Sequence, residues 1–166
     1  MLKVMFLCTG NSCRSQMAEG FARALGQGVI EPYSAGVMPS DVHPKTVQVM
    51  KEVGIDISNQ RSKGIEESLL NTMDIVITLC SSAEAMCPVT PPRIRRMHWS
   101  IDDPKSATGT EEEVLNAFRN ARDEIRKHVA KLIEDIRNNP RKIKNNRKDT
   151  MPLFKIKRGS DDGNDM

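Results

Sequence analysis

The sequence predicts an α/β fold, a doubly wound three-layer sandwich built around an interior parallel sheet. Apolar runs of strand length alternate with segments of helical periodicity over the first 136 residues, as crossover-connected parallel strands require. Residues 73–79 are apolar and rich in β-branched side chains on both faces, which is typical of an interior parallel strand. Ligands of such folds bind beyond the carboxyl ends of the strands, so side chains at those ends are the candidates for function.

Four strands and four helices account for the chain up to residue 136. Apolar runs predict strands at residues 2–8, 29–34, 73–79 and 93–97. Apolar residues at helical spacing predict helices at residues 14–26, 43–53, 63–70 and 110–136. Two of the helix starts have specific signals, namely Pro44 in a first turn and a capping box formed by Thr110 and Glu113.

Composition divides the chain into one domain, residues 1–138, and a C-terminal tail, residues 139–166. Periodicity stops near Pro140, and the polar, charged residues beyond it predict a disordered tail. Residues 140–166 hold eight of the 25 Lys and Arg but only four of the 22 Asp and Glu, so the tail is basic and the domain nearly neutral. The only aromatic residue of the tail is Phe154, and we therefore do not expect it to bind nucleic acid.

Cysteine content and hydropathy indicate a cytoplasmic protein. The chain has four cysteines and no apolar leader at its N-terminus, which favours a reducing compartment over a disulfide framework. The apolar runs have the length of strands, so no membrane span is predicted. No feature of the sequence indicates an obligate dimer, and we expect a monomer.

The most informative stretch is residues 8–15, CTGNSCRS, between the first strand and the first helix. A loop of this length can curl so that its backbone N–H groups surround an anion at a helix N-terminus. Gly10 and Asn11 supply the backbone freedom for the curl, and Arg14 can hold a tetrahedral oxyanion with two hydrogen bonds. The positive field of the loop favours a thiolate nucleophile at Cys8. The alternative is a buried structural Cys8 beside a surface Arg14.

The C-x5-R-S motif, placed between a strand and a helix, resembles that of the low-molecular-weight protein tyrosine phosphatase superfamily. Within it, residues 8–20 (CTGNSCRSQMAEG) are most similar to the thioredoxin-coupled arsenate reductases. The resemblance covers residues 1–136 and implies a four-stranded parallel sheet with the first strand at its centre. It also implies oxyanion binding by the loop, with Cys13 as a structural or protective thiol; the residues concerned are Thr9, Gly10, Asn11, Ser12, Cys13 and Arg14.

Cys80 and Cys87 follow the third predicted strand, with six residues between them. The residues leave three interpretations open: buried structural thiols, a zinc site, or a relay in which Cys80 attacks a Cys8 adduct and Cys87 resolves the disulfide. The paired short spacings of zinc ligands are missing, so we expect no metal. If residues 81–86 are helical, the two cysteines are about 10 Å apart. A disulfide needs Cα atoms roughly 6 Å apart, so the segment would have to unwind.

Residues 78–92 (TLC-x6-CP-x-TPP) also resemble the arsenate reductase pattern. The resemblance implies that Cys80 and Cys87 carry a disulfide shuttle and that thioredoxin, as electron donor, restores the thiols. No tightly bound cofactor is expected.

Asp103 lies directly before Pro104 and matches the general acid of the superfamily. An oxygen that departs from a tetrahedral centre needs a proton, which a carboxyl group near the loop can donate; the alternative is an ordinary Asp-Pro turn. Superfamily members that act on phosphotyrosine carry aromatic residues after this Asp-Pro pair. Here residues 105–107 are Lys-Ser-Ala, which favours a small inorganic anion.

Lys63 stands where potassium-binding reductases have an aspartate ligand. Their other ligands match Asn11, Glu19 and Ser34 of this sequence. We predict that the Lys63 ammonium takes the place of the cation, pairs with Glu19 and stiffens the loop without a metal. The alternative is a Lys63 that faces solvent.

The sequence thus predicts reduction of arsenate to arsenite by the thiols of Cys8, Cys80 and Cys87. Arg14 would bind the anion, Ser15 would hydrogen-bond the Cys8 thiolate and Asp103 would protonate the leaving oxygen. Two alternatives remain: a low-molecular-weight phosphatase that hydrolyses phosphate monoesters, and a non-enzymatic regulator that binds arsenite or senses redox state through its thiols.

Overall fold

The computed structural model describes residues 1–139 and residue 141. Four parallel strands form one sheet in the order β2-β1-β3-β4, so β1 and β3 lie at its centre. Their bounds are β1 Leu2–Cys8, β2 Ile30–Gly36, β3 Ile75–Thr78 and β4 Arg95–His98. Every residue of β3 is buried, as its apolar sequence predicts. The α/β class, the parallel sheet and the central position of the first strand are confirmed.

Within residues 1–139, five helices pack around the sheet, together with a short 3-10 turn at Pro104–Ser106. Their bounds are α1 Arg14–Leu25, α2 Pro44–Glu52, α3 Glu67–Leu70, α4 Ser81–Met86 and α5 Glu111–Asn138. The β1-to-β2 and β3-to-β4 crossovers run in opposite directions across the sheet, so right-handed connections place α1 and α4 on opposite faces. Helix α5 packs against α1, which completes the three layers.

Local signals explain where the helices begin. Helix α2 starts with Pro44, and the Nδ1 atom of His43 accepts a hydrogen bond from the backbone of Lys45. Helix α5 starts with the predicted capping box, in which Thr110 and Glu113 each accept a hydrogen bond from the other's backbone N–H.

The predicted helix at residues 63–70 is wrong in its first half, because α3 begins only at Glu67. The Gly36 N–H donates to the Lys63 carbonyl at 2.8 Å, and Gly64 forms an isolated parallel bridge with Gly36. These contacts hold residues 63 and 64 extended, which excludes them from a helix. The fourth strand is also shifted slightly, from the predicted 93–97 to Arg95–His98.

The core lies between the sheet and the helices and includes Phe6, Phe21 and Phe118, each almost fully buried. In the described part of the chain, no helix is long and apolar enough to cross a membrane. Helix α5 ends at Asn138. Apart from residues 139 and 141, the predicted tail lies outside the described residues, so the domain boundary and the tail remain predictions.

Candidate active site

A cavity of about 260 Å³ opens at the carboxyl edge of the sheet, where β1 ends and α1 begins. Such an edge is where ligands of parallel α/β sheets bind. The cavity is lined by loop residues Cys8, Thr9, Gly10, Ser12, Cys13 and Arg14, and by Met38, Ser40, Asp103 and Lys105 from neighbouring segments. The fold therefore brings the predicted nucleophile, the arginine and the acid to one cavity.

The loop is curled by one left-handed residue and by contacts from a distant segment. Asn11 has a φ of 49°, a conformation that asparagine tolerates better than most side chains. Its Oδ1 accepts a hydrogen bond from the backbone N–H of Lys63 at 2.8 Å, and the Ser62 hydroxyl donates to the Gly10 carbonyl at 2.9 Å. Gln16 Nε2 donates to the Asn11 carbonyl at 3.0 Å. Residues 62 and 63 thus fix the curl from outside.

Gly36, the last residue of β2, is needed for the loop to approach the sheet. A Cβ atom at this position would lie 2.6 Å from the backbone nitrogen of Asn11 and 2.8 Å from Gly10 C. Both are backbone atoms that cannot rotate away. The absence of a side chain at Gly36 therefore determines how closely the loop packs.

A chain of hydrogen bonds leads to the Cys8 sulfur. Cys8 Sγ lies 2.8 Å from Ser15 Oγ, and both side chains are buried. Because Asn11 Oδ1 accepts from Lys63, its Nδ2 is the donor, and it donates to Ser15 Oγ at 2.7 Å. The single hydroxyl proton of Ser15 is then free to point at the Cys8 sulfur.

Arg14 is buried, and it connects the loop to the segment that carries the predicted acid. Its Nη1 donates to the Ile101 carbonyl at 2.9 Å and to the Leu79 carbonyl at 3.5 Å. Its Nη2 lies 3.7 Å from Asp103 Oδ2. The Asp103 side chain is 39% exposed at the mouth of the cavity, and its Oδ1 caps the 3-10 turn by accepting from the backbone of Lys105. Asp103 can therefore reach both the anion and solvent.

Cys80 lies beside the loop because β3 pairs with β1. Leu79 N donates to the Leu7 carbonyl, which places the residue after it next to the end of β1. Cys80 Sγ lies 3.2 Å from Thr9 Oγ1 and accepts a hydrogen bond from Ala83 N at the start of α4. The second thiol thus contacts the anion loop directly and lies at a helix N-terminus.

Cys87 lies at the opposite end of α4 from Cys80. The intervening residues form helix α4, so the two cysteines are about 10 Å apart along its axis. Burial raises the pKa of the Cys87 thiol, while the positive charge of Arg96 opposes that shift. The fold thus brings Cys80 into contact with the loop that begins at Cys8 and leaves Cys87 at the far end of α4.

Cys13 is buried within the loop, and burial raises the pKa of its thiol. Its Sγ donates a weak hydrogen bond to Ser12 Oγ at 3.8 Å. Because the charged form is disfavoured there, Cys13 remains a thiol at neutral pH.

The predicted cluster around Glu19 lies beneath the loop. Glu19 is buried; its Oε1 accepts from the Ser34 hydroxyl and lies 3.7 Å from Lys63 Nζ, and its Oε2 pairs with Arg23. Burial lowers the pKa of Lys63, and the Glu19 carboxylate opposes that shift. The Lys63 backbone also donates to Asn11, so the same residue contacts both the loop and the cluster.

Sequence reasoning did not assign a role to several residues of the site. Ser40 and Met38 line the cavity, and Gly36 and Ser62 shape the loop. Of these four residues, only Gly36 leaves a local signal in the sequence, namely a glycine at the end of a predicted strand. The roles of Ser40, Met38 and Ser62 depend on contacts between segments that are distant in the chain.

The site and the fold define a class of protein: an α/β enzyme in which a cysteine and an arginine flank an oxyanion-binding loop at the end of a central parallel strand. The chain belongs to the low molecular weight phosphotyrosine protein phosphatase family, whose sequence model matches residues 3–142.

Similar proteins within that family are arsenate reductases. The arsenate reductase of Bacillus subtilis (strain 168) is 50% identical over 131 residues, which cover 79% of this chain and 94% of that protein. A solved arsenate reductase in the phosphate binding state is 42% identical, with a TM-score of 0.67, and the match covers 82% of this chain and 99% of that one. Another, in the oxidized state, is 40% identical, with a TM-score of 0.68 and the same coverage.

Proposed function

We propose that this chain is an arsenate reductase that converts arsenate to arsenite with electrons from its own thiols. The observation that carries the proposal is the position of the second thiol, since Cys80 Sγ lies 3.2 Å from Thr9 Oγ1 on the loop that begins at Cys8. A phosphatase needs one cysteine at its anion loop, whereas a reductase needs a second thiol within reach of the first. The names of the relatives at 50% and 42% identity support the same function.

In the first step the Cys8 thiolate attacks the arsenic atom of arsenate. A sulfur–arsenic bond forms while the bond from arsenic to a hydroxyl group of arsenate breaks, and that hydroxyl leaves as water after taking one proton from Asp103. The loop N–H groups and Arg14 hold the remaining oxygens. Before the attack, the Ser15 hydroxyl donates a hydrogen bond to the Cys8 thiolate.

In the second step the Cys80 thiolate attacks the Cys8 sulfur of the adduct. A Cys8–Cys80 disulfide forms, and the electron pair of the sulfur–arsenic bond stays with arsenic. Arsenic is thereby reduced from the +5 to the +3 state and leaves as arsenite. Thr9 and the backbone N–H of Ala83 at the start of α4 both contact the Cys80 sulfur and hold it beside the loop.

In the third step the Cys87 thiolate attacks Cys80, releases the Cys8 thiolate and leaves a Cys80–Cys87 disulfide. Helix α4 must unwind for this step, because the helix holds the two cysteines apart. Thioredoxin then supplies two electrons and restores both thiols, so no tightly bound cofactor is required. A reducing cytoplasm suits this cycle, and a monomer is sufficient because all three thiols belong to one chain.

A phosphotyrosine phosphatase has less support from the site. Such an enzyme would use Cys8, Arg14 and Asp103 and would need a slot for a phenol ring. Among the described residues, the lining of the cavity includes Lys105 and Met38 but no aromatic side chain. A regulator that only binds arsenite would need neither the arginine nor the acid.

A single-turnover experiment tests the proposal. The fully reduced protein is mixed with excess arsenate, without thioredoxin, and the arsenite released per chain is measured. We expect about one arsenite per chain from the wild type and from Cys87→Ser, with the Cys8–Cys80 disulfide accumulating in that variant. Cys80→Ser should release almost none. Equal release by wild type and Cys80→Ser, or hydrolysis of p-nitrophenyl phosphate without arsenite release, would contradict the proposal.

A further inference from the structure

Helix α4 is attached to the sheet by a half-buried polar contact near its centre. Thr78, the last residue of β3, is fully buried, and its Oγ1 donates to Glu84 Oε1 at 2.6 Å. The Nδ1 atom of His98 lies 2.8 Å from the same hydroxyl oxygen. The Met97 carbonyl is a second acceptor for this hydroxyl but lies farther away, at 3.4 Å, so we assign the single hydroxyl proton to Glu84 and the donor role in the His98 contact to His98. Glu84 is therefore held by a hydroxyl that His98 orients.

The segment just after α4 is attached to the same strand. Arg96 Nη1 donates to the Pro88 carbonyl at 3.2 Å, next to Cys87. Arg96 and His98 are two residues apart on β4, so their side chains leave the sheet on the same face. One face of the edge strand β4 therefore makes two contacts near α4. Arg96 binds the carbonyl of residue 88, and His98 binds the Thr78 hydroxyl that holds Glu84.

The third step of the relay requires the contact between Glu84 and Thr78 to break. Cys80 and Cys87 cannot reach disulfide distance while α4 is helical, so the helix has to unwind. Glu84 lies midway between the two cysteines, and unwinding removes its carboxylate from Thr78. A hydrogen bond to a charged group commonly changes an equilibrium by a factor of about ten or more.

We propose that Glu84 is a positioning residue that keeps α4 folded in the reduced protein and so holds Cys87 away from Cys80 until the Cys8–Cys80 disulfide has formed. This inference rests on the proposed three-thiol relay. If a small-molecule disulfide or peroxide oxidised Cys80 and Cys87 before arsenate reacted, the two thiols would lose two electrons and two protons to that oxidant, and no thiol would remain at residue 80 to reduce the arsenic adduct on Cys8. The helix therefore sets the order of the two thiol exchanges.

Oxidation of the reduced protein by diamide tests the inference without arsenate. Diamide takes two electrons and two protons from a pair of thiols, so it forms the Cys80–Cys87 disulfide whenever α4 opens. The two cysteines lie on one tryptic peptide, residues 64–93, and the bridge removes two hydrogen atoms from it. The rate of bridge formation is followed by mass spectrometry of samples quenched with an alkylating agent.

The variants separate the contact from general helix stability. Glu84→Ala should form the bridge about tenfold faster than the wild type, whereas Glu84→Gln, which retains an acceptor for Thr78, should stay within about threefold. Thr78→Val removes the donor and should match Glu84→Ala, while Thr78→Ser keeps the hydroxyl and should resemble the wild type. Ser82→Ala, on an exposed position of the same helix, is the control and should not change the rate.

Wild-type rates in both Glu84→Ala and Thr78→Val would overturn the inference and leave the relay intact. If the wild type formed no Cys80–Cys87 bridge with diamide or after arsenate turnover, the relay itself would be wrong, and the inference with it.

Discussion

The hydroxyl of Ser15 lies 2.8 Å from the sulfur of Cys8 and accepts a hydrogen bond from Asn11, so its own proton is directed at the sulfur. Asn11 is oriented in turn by the Lys63 backbone, 52 residues away in the chain. The nucleophile thus depends on a contact between segments that are distant in sequence.

Replacement of Ser15 by Ala should slow arsenite release in a single turnover by about 10- to 100-fold. The variant removes a hydrogen bond to a charged sulfur, which contributes about 1.5–3 kcal/mol. Ser15→Thr keeps the hydroxyl and should retain most of the rate. If the alanine variant reacted as fast as the wild type, the hydroxyl would have no role in activating Cys8.

Replacement of Gly36 by Ala should weaken the binding of inorganic phosphate, measured by calorimetry as a stand-in for arsenate. The new Cβ would lie 2.6 Å from Asn11 N, so the loop backbone has to move, at a cost of about 1–3 kcal/mol. Gly64→Ala is the matched control, because its Cβ would meet Pro39 Cγ at an ordinary 3.6 Å. Equal phosphate affinity in both variants would contradict the role assigned to Gly36.

Local patterns in the sequence were sufficient to predict the fold class and the resemblance to the family, and the central position of the first strand followed from that resemblance. The apolar β-branched run of β3 and the strand–loop–helix at residues 2–25 are signals of this kind. The mechanistic roles of Cys8, Cys80, Cys87 and Asp103 remain predictions, which single-turnover and NADPH-oxidation measurements test.

Other features depend on tertiary contacts and left no pattern in the sequence. The helix predicted from residue 63 starts at Glu67 because Gly36 and Gly64 pair across the fold. The Thr78–Glu84 contact across the β3–α4 turn, which holds α4 to the sheet, likewise had no local signal. Side chains that contact partners far along the chain cannot be recognised from spacing alone.

Exchange of potassium for sodium at fixed ionic strength should leave the activity unchanged. The Lys63 ammonium lies 3.7 Å from the Glu19 carboxylate and donates a hydrogen bond to the Arg61 carbonyl. A positive charge is therefore already present beneath the loop. Lys63→Asp is the informative variant, since it removes this charge and should make the rate respond to potassium. Strong activation of the wild type by potassium would contradict the prediction.

Glu52 should contribute to stability in a pH-dependent manner. It pairs with Arg119 and Arg122, linking α2 to α5, and the hydrogen bond from Arg119 is the main cause that lowers its pKa from 4.5 to about 2. A lowered pKa means that the stabilisation is complete above pH 4.5 and is lost as the pH falls toward 2. Glu52→Gln should lower Tm by about 3 °C at pH 7 for a loss of about 1 kcal/mol.

The same comparison at lower pH provides the control for Glu52. The difference in Tm between wild type and Glu52→Gln should shrink as the pH approaches 2, because the wild-type carboxylate then takes up a proton. A difference that stayed constant from pH 7 to pH 2.5 would show that the ion pairs are not its cause.

The central claim is that three thiols of one chain carry electrons from thioredoxin to arsenate. The most direct measurement is oxidation of NADPH in the presence of thioredoxin, thioredoxin reductase and arsenate, comparing the wild type with Cys87→Ser. The relay predicts sustained, arsenate-dependent oxidation by the wild type and at most one cycle per chain by the variant. Sustained turnover by Cys87→Ser, or no arsenate-dependent oxidation by the wild type, would contradict it.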